Sequence, residues 1–223
     1  MSRFFSTGNP VFGALDQLVD LAWVSILWLI FSLPLVTAGA STTALYYTVT
    51  KVIRHHRGYI WREFWGSFKS NFKQSTIIWL LYVVIMIIFF VDIRVMGAVG
   101  NTAANTLQYT FLMGMVMVTA VLFYALAYTA RFVQDVKHIL LNSVLMAVRH
   151  LPKTLLLLLV AALAVLSIYL MGIAFILAPA IAAILDSIIL ESVFVNYMSK
   201  EDREKENMRN YPEQYEYVNR KDE

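Results

Sequence analysis

The sequence predicts an all-helical, polytopic transmembrane bundle, and three observations predict it. Of 223 residues, 59% are hydrophobic and only 15% charged, and the mean hydropathy is +0.64, too apolar for an ordinary soluble domain. Apolar runs of about the 20 residues needed to cross the hydrocarbon recur along the chain. The basic residues gather beside those runs rather than along one soluble face. The net charge of +3 and pI near 9.0 therefore read as topology signals and lipid contacts, with no nucleic-acid partner implied. The expected organisation is one membrane domain over residues 1–198 and a charged cytoplasmic tail over 199–223, in the plasma membrane. The absence of cysteine removes disulfides, thiolate nucleophiles and Cys-based metal sites.

Residues 1–17 read either as a short amphipathic lead-in, with Phe4, Phe5, Val11, Phe12 and Leu15 able to rest on the membrane surface, or as a frayed terminus. The first span runs from Leu18 to Val36. Ala38-Gly39-Ala40 after it has the small-x-small form of a signal cleavage site, but Asp16 and Asp20 before the run favour a retained span. Pro34 removes a backbone donor and turns Leu33 away from helix, and Gly39 supplies the freedom for a tight reversal. Ser41, Thr42 and Thr43 are placed to cap the next helix, Ala40–His55. Its Thr and Tyr content makes it a sixth candidate span, crossing inside the bundle if it crosses.

Lys51, Arg54, Arg57, Arg62, Lys69 and Lys73 then mark a cytoplasmic segment, opposed only by Glu63. Within it Trp61, Phe64, Trp65, Phe68 and Phe72 recur at helical spacing, which predicts a helix lying flat at the interface or packed at the bundle's cytoplasmic end. Further spans follow: Thr76–Met96, an uncharged external connection from Gly97 to Thr106, and Leu107–Ala130. Arg131, Lys137, Arg149 and Lys153 return to the cytoplasm. Between them Val133, Val136, Leu140, Val144, Val148 and Leu151 form a second amphipathic stripe. The chain crosses outward over 153–177, turns at Ala178-Pro179 and returns from Ala180 to Met198. The expectation is thus five spans and a sixth candidate, with two amphipathic cytoplasmic helices. Trp61–Lys73 and Leu141–Lys153, each before a span, together with proline hairpins at Pro34 and Pro179, hint at a paired internal repeat.

The stretch Trp28-Leu29-Ile30-Phe31-Ser32-Leu33-Pro34-Leu35-Val36-Thr37-Ala38-Gly39-Ala40-Ser41-Thr42-Thr43-Ala44-Leu45-Tyr46-Tyr47, with Phe64, Ser67-Phe68-Lys69 and Asn71-Phe72-Lys73 after it, resembles the YesL family of bacterial membrane proteins. The resemblance covers about the first third of the chain. It implies no assigned activity and supplies no catalytic or binding residues to carry over. The family's position beside carbohydrate-uptake genes in Gram-positive bacteria implies a role around sugar import, with a sugar ABC transporter as candidate partner.

Asp186 is the residue that chemistry singles out, because it falls inside the last apolar run. A carboxylate at that depth costs about 2.5–3.5 kcal/mol on insertion scales and needs a partner, water or a proton. Glu191 is five positions on, about 140° around a helix, so the two acids form no pair. One expectation is a polar site shared by Asp186 with Thr42, Thr43 and Tyr46, binding a cation, proton or polar solute. The other is a structural interhelical hydrogen bond. His55 and His56 point about 100° apart and His138 and His150 lie elsewhere, so no metal site or cofactor is expected. Neither G-x-S-x-G, H-E-x-x-H nor G-x-x-x-x-G-K occurs, and no enzyme activity is expected. The segment Ala147–Thr154 loosely resembles the coupling loop of ABC sugar permeases but lacks its Glu-Ala-Ala and Gly positions. Two function classes remain. One is an accessory or scaffold protein docking through Trp61, Arg62, Phe64, Trp65, Phe68, Lys69, Lys73, Arg149 and Lys153. The other is a small secondary transporter or channel past Asp186.

Overall fold

The computed structural model describes residues 10–55, 58–99 and 101–198, with side chains from Asp16 onward. Most of the lead-in and the whole tail lie outside these residues. Four helices are long and apolar enough to cross a membrane: Ile60–Val99, Thr102–Arg131, Leu151–Leu170 and Ala178–Tyr197.

Helix α1, Pro10–Ser32, is broken by Pro34, which starts a 3-10 turn over Leu35–Thr37. The Thr37 hydroxyl closes this turn by donating between the carbonyls of Phe31 at 2.6 Å and Pro34 at 2.8 Å. Helix α2, Ala38–Thr48, runs back against α1 and continues as a π-helix over Val49–Arg54. It is the enclosed centre of this part of the fold, with Ala40, Ser41, Thr43, Ala44, Leu45, Tyr46, Thr48, Val49 and Val52 all buried.

Two expectations about the bend are corrected. Gly39 is helical, and its missing side chain matters for packing: a Cβ there would overlap Cβ of Trp79 and come within 2.6 Å of the Ser75 carbonyl. Gly39 lets α2 press directly against the next helix, the role small residues play where membrane helices meet. Nor do Ser41, Thr42 and Thr43 cap. Thr42 and Thr43 donate back to the carbonyls of Ala38 and Gly39 one turn earlier, and Ser41 donates to the Trp28 carbonyl.

Helix α3, Ile60–Val99, is a single unbroken helix of 40 residues. It is about 60 Å long, twice the hydrocarbon thickness, so only about half can cross a bilayer without steep tilt. This corrects the separate surface helix expected over Trp61–Lys73. A continuous axis cannot lie flat in one half and cross in the other. Its aromatic face instead packs inward: the Phe31 ring lies 5.6, 5.4 and 5.0 Å from those of Phe64, Trp65 and Phe68. Phe64 and Phe68 are buried core residues, not a docking face. Trp61, Phe72, Arg62, Lys69 and Lys73 remain exposed, with Lys69 over the Trp65 ring at 4.8 Å.

Helix α4, Thr102–Arg131, starts at Asn101, whose side chain accepts from the Ala104 amide at 2.8 Å. The expected external connection shrinks accordingly, since α3 runs to Val99 and α4 begins at Thr102. The two form an antiparallel hairpin joined by Tyr82 and Thr119 hydroxyls at 3.2 Å and by the Phe89 ring seated on Gly114. Helix α5, Val136–Arg149, packs Ile139, Ser143, Met146 and Ala147 inward and leaves Leu141, Val144, Leu145 and Val148 exposed. Part of the predicted stripe, Val133, Val144, Val148 and Leu151, lies on the exposed side.

Helix α6, Leu151–Leu170, ends in a 3-10 stretch over Gly172–Ile176, and helix α7, Ala178–Phe194, follows. The reversal therefore lies before Pro179, not at it. Pro179 occupies the first turn of α7, where a missing N–H leaves no helical bond unmade. The proposed repeat loses its footing here, since α3 is continuous where its supposed counterpart breaks at His150.

Two apolar cores result. One joins α1, α2, the start of α3 and the first half of α7. The other joins α4, α5 and the second half of α7, with Tyr46, Ile78 and Leu157.

Candidate functional site

Where α2, α4 and α7 meet, polar side chains are drawn together inside the protein. Arg131 is the last residue of α4, where the negative end of the helix dipole favours a cation. Glu191 lies in the last turn of α7, where the same dipole disfavours an anion. The two form an ion pair whose side chains are only 13% and 16% exposed. Tyr46 donates its hydroxyl to the other carboxylate oxygen of Glu191 at 3.3 Å. The Arg131 guanidinium also lies 5.8 and 5.9 Å from the Phe132 and Phe194 rings and donates to Met198 Sδ. Arg54, at the end of the π-helix, donates to Ser187 Oγ of α7 at 3.2 Å.

These contacts account for most of the residues singled out from sequence, but not as one site. Thr42 accepts from Trp28 Nε1 at 3.1 Å, Thr43 pairs with Ser75 at 2.8 Å, and Tyr46 goes to Glu191. None of these bonds reaches Asp186. Asp186 is buried at 7% exposure, and its Oδ1 has no hydrogen-bond partner among the described residues. Thr50 Oγ1, in the π-helix, is likewise buried and unpaired. An Asp186 oxygen without a donor can take a proton, a cation or the hydroxyl of a polar solute.

The α5–α6 corner is the other polar cluster. His150 Nε2 meets the Tyr197 hydroxyl at 3.3 Å, and Lys153 donates to the Ser192 carbonyl and hydroxyl at 3.2 and 2.9 Å. Partial burial, then the positive charges of Lys153 and Arg149, hold the His150 pKa below its ordinary value. Among the described residues, no three His, Asp or Glu side chains stand close enough to hold a metal.

Residue pattern alone missed the Arg131–Glu191 pair. Arg131 reads as a topology signal and Glu191 as an acid out of phase with Asp186. The available signal was that opposite charges close two different apolar runs at the same expected face.

One comparison with known proteins finds a match. Residues 21–93 fit the family model described as Protein of unknown function, DUF624. No curated protein and no solved structure matches the chain. The DUF624 segment spans most of α1, the bend, α2, the π-helix and α3 to Ile93, and so contains Tyr46, Thr42, Thr43, Pro34 and Gly39. Arg131, Asp186 and Glu191 lie outside it.

Proposed function

We propose that this protein is a non-enzymatic accessory or scaffold component of the plasma membrane, linked to carbohydrate uptake, with its C-terminus in the cytoplasm. The carrying observation is how the interior polar groups are used. Thr43 with Ser75, Tyr46 and Arg131 with Glu191, and Arg54 with Ser187 are spent tying helices to one another. Such pairs fasten a bundle, and they leave the long apolar flanks of α3, α4 and α6 outward for lipid and neighbouring membrane proteins. YesL-type proteins carry DUF624, and the YesL-like bend supports the link to sugar import. With α1 and the α2–π unit added to the four apolar helices, the chain would cross five or six times.

Affinity purification in mild detergent tests this reading. A stoichiometric ABC sugar permease or its ATPase is the expected result. Solute uptake by the protein alone in liposomes would contradict it and favour the second reading, a small transporter using the unpaired Asp186. In that case Asp186→Asn should abolish uptake while leaving the protein folded.

A further inference from the structure

The α5–α6 corner combines three features that nothing in the proposed function uses. Its cations are grouped: Arg149 ends α5, Lys153 lies in the first turn of α6, and His150 sits between them. Its polar partners come from the far end of α7, where Ser192 holds Lys153, and from the 3-10 turn Val195–Tyr197 after it, where Tyr197 meets His150. Around it the surface is apolar and open: Val148, Leu151, Leu155 and Leu159 are 52%, 50%, 65% and 53% exposed. The corner also marks the start of a membrane-crossing helix, whose N-terminal end carries the positive pole of its dipole. Cations above, leucines below and a helix N-terminus between them match a molecule with an anionic head and two hydrocarbon tails.

We propose that this corner binds an anionic phospholipid, its phosphate held by Arg149 and Lys153 beside the Tyr197 hydroxyl and its acyl chains lying along Leu151, Leu155 and Leu159. The His150 pKa is lowered first by partial burial and then by Lys153 and Arg149, the two charges that a bound phosphate would neutralise. The site needs no particular orientation in the membrane, because the corner faces whichever leaflet α6 enters. The lipid contact does not rest on the accessory role, for which Arg149 and Lys153 are also docking candidates.

The experiment is a lipid titration of the full-length protein in detergent, read by native mass spectrometry and by thermal unfolding. Phosphatidylglycerol should bind at least ten times more tightly than phosphatidylcholine and raise the unfolding temperature. Arg149→Gln with Lys153→Gln should erase that preference, Arg149→Lys with Lys153→Arg should keep it, and Arg62→Gln with Lys69→Gln on α3 should leave it intact. A photoactivatable phosphatidylglycerol on the unmodified protein should crosslink within residues 148–159. Equal binding of the two lipids, crosslinks confined to other segments, or an equal thermal shift from inorganic phosphate alone would overturn the proposal.

Discussion

The two halves of α3 differ in composition, and their burial runs opposite to what composition alone would suggest: the first carries Arg62, Glu63, Lys69, Lys73 and several Ser, Asn and Gln, while the second is almost wholly apolar. From Ile60 to Ile78 the helix buries Ile60, Phe64, Ser67, Phe68, Ser75 and Ile78, one stripe at helical spacing. Beyond Ile78 no residue of α3 is buried, although Leu80, Leu81, Val84, Ile87, Ile88, Val91 and Val95 are as apolar as anything before them. Hydrophobicity therefore does not explain which half packs, since the less apolar half is the buried one. Surface fit does: the first half, with Trp79 just past it, meets the glycine of α2, paired hydroxyls, the Leu35 carbonyl and the Phe31 ring, while from Leu80 onward Tyr82, Phe89 and Gly97 lie against α4. In lipid, where burying a leucine against a leucine gains little, such close-fitting features decide where helices pack.

The sharpest way to break this contrast is at Gly39. Gly39→Leu forces a side chain into Trp79 and the Ser75 backbone and should prevent recovery of folded protein in detergent. Gly39→Ala should cost about 1–3 kcal/mol by overpacking, read as a lower unfolding midpoint. Gly66→Ala, on α3 with nothing within 4 Å, should be neutral or stabilising by about 0.5–1 kcal/mol through helix propensity. Equal effects at the two glycines would remove the packing argument.

Next in size is the ion pair across the α4–α7 junction. Glu191→Gln removes the carboxylate that pairs with the mostly buried Arg131 and should cost about 1–3 kcal/mol. Arg131→Met with Glu191→Leu should recover most of that loss, because neither charge of the pair then has to be held in the interior.

Phe64→Ala and Phe90→Ala then test the two halves directly. The first empties a fully buried position and should cost about 3 kcal/mol. The second alters a lipid-facing ring that is 57% exposed and should shift stability by less than about 0.5 kcal/mol.

The smallest effect is expected at Lys51, which pairs with Glu63 at 2.6 Å with side chains 25% and 18% exposed. Lys51→Gln should cost no more than about 1 kcal/mol at neutral pH.

Much of the helix layout was readable from apolar runs and proline, including the Pro34 break and the burial of the Thr-rich helix after it. What escaped reading was what depends on partners distant in sequence. Gly39 looks like a turn residue until Trp79 is opposite it. Phe64 and Phe68 look interfacial until Phe31 covers them. Pro179 looks like a hinge because proline both ends and begins helices. Of the candidate site, the burial of Asp186 was legible in the hydropathy of its run, whereas the pairing of Tyr46 with Glu191 was not, since 145 residues separate them.

The most direct measurement is a single-cysteine scan of α3, which the cysteine-free sequence permits without background. Spin labels placed singly along the helix in a bilayer should report high collision with lipid-dissolved oxygen at positions 84, 88, 91 and 95 and strong immobilisation with little access at 64, 67, 75 and 78. Immobilised, inaccessible labels at 84–95 or freely lipid-exposed labels at 64 and 67 would contradict the division of α3 into a packed half and a lipid-facing half.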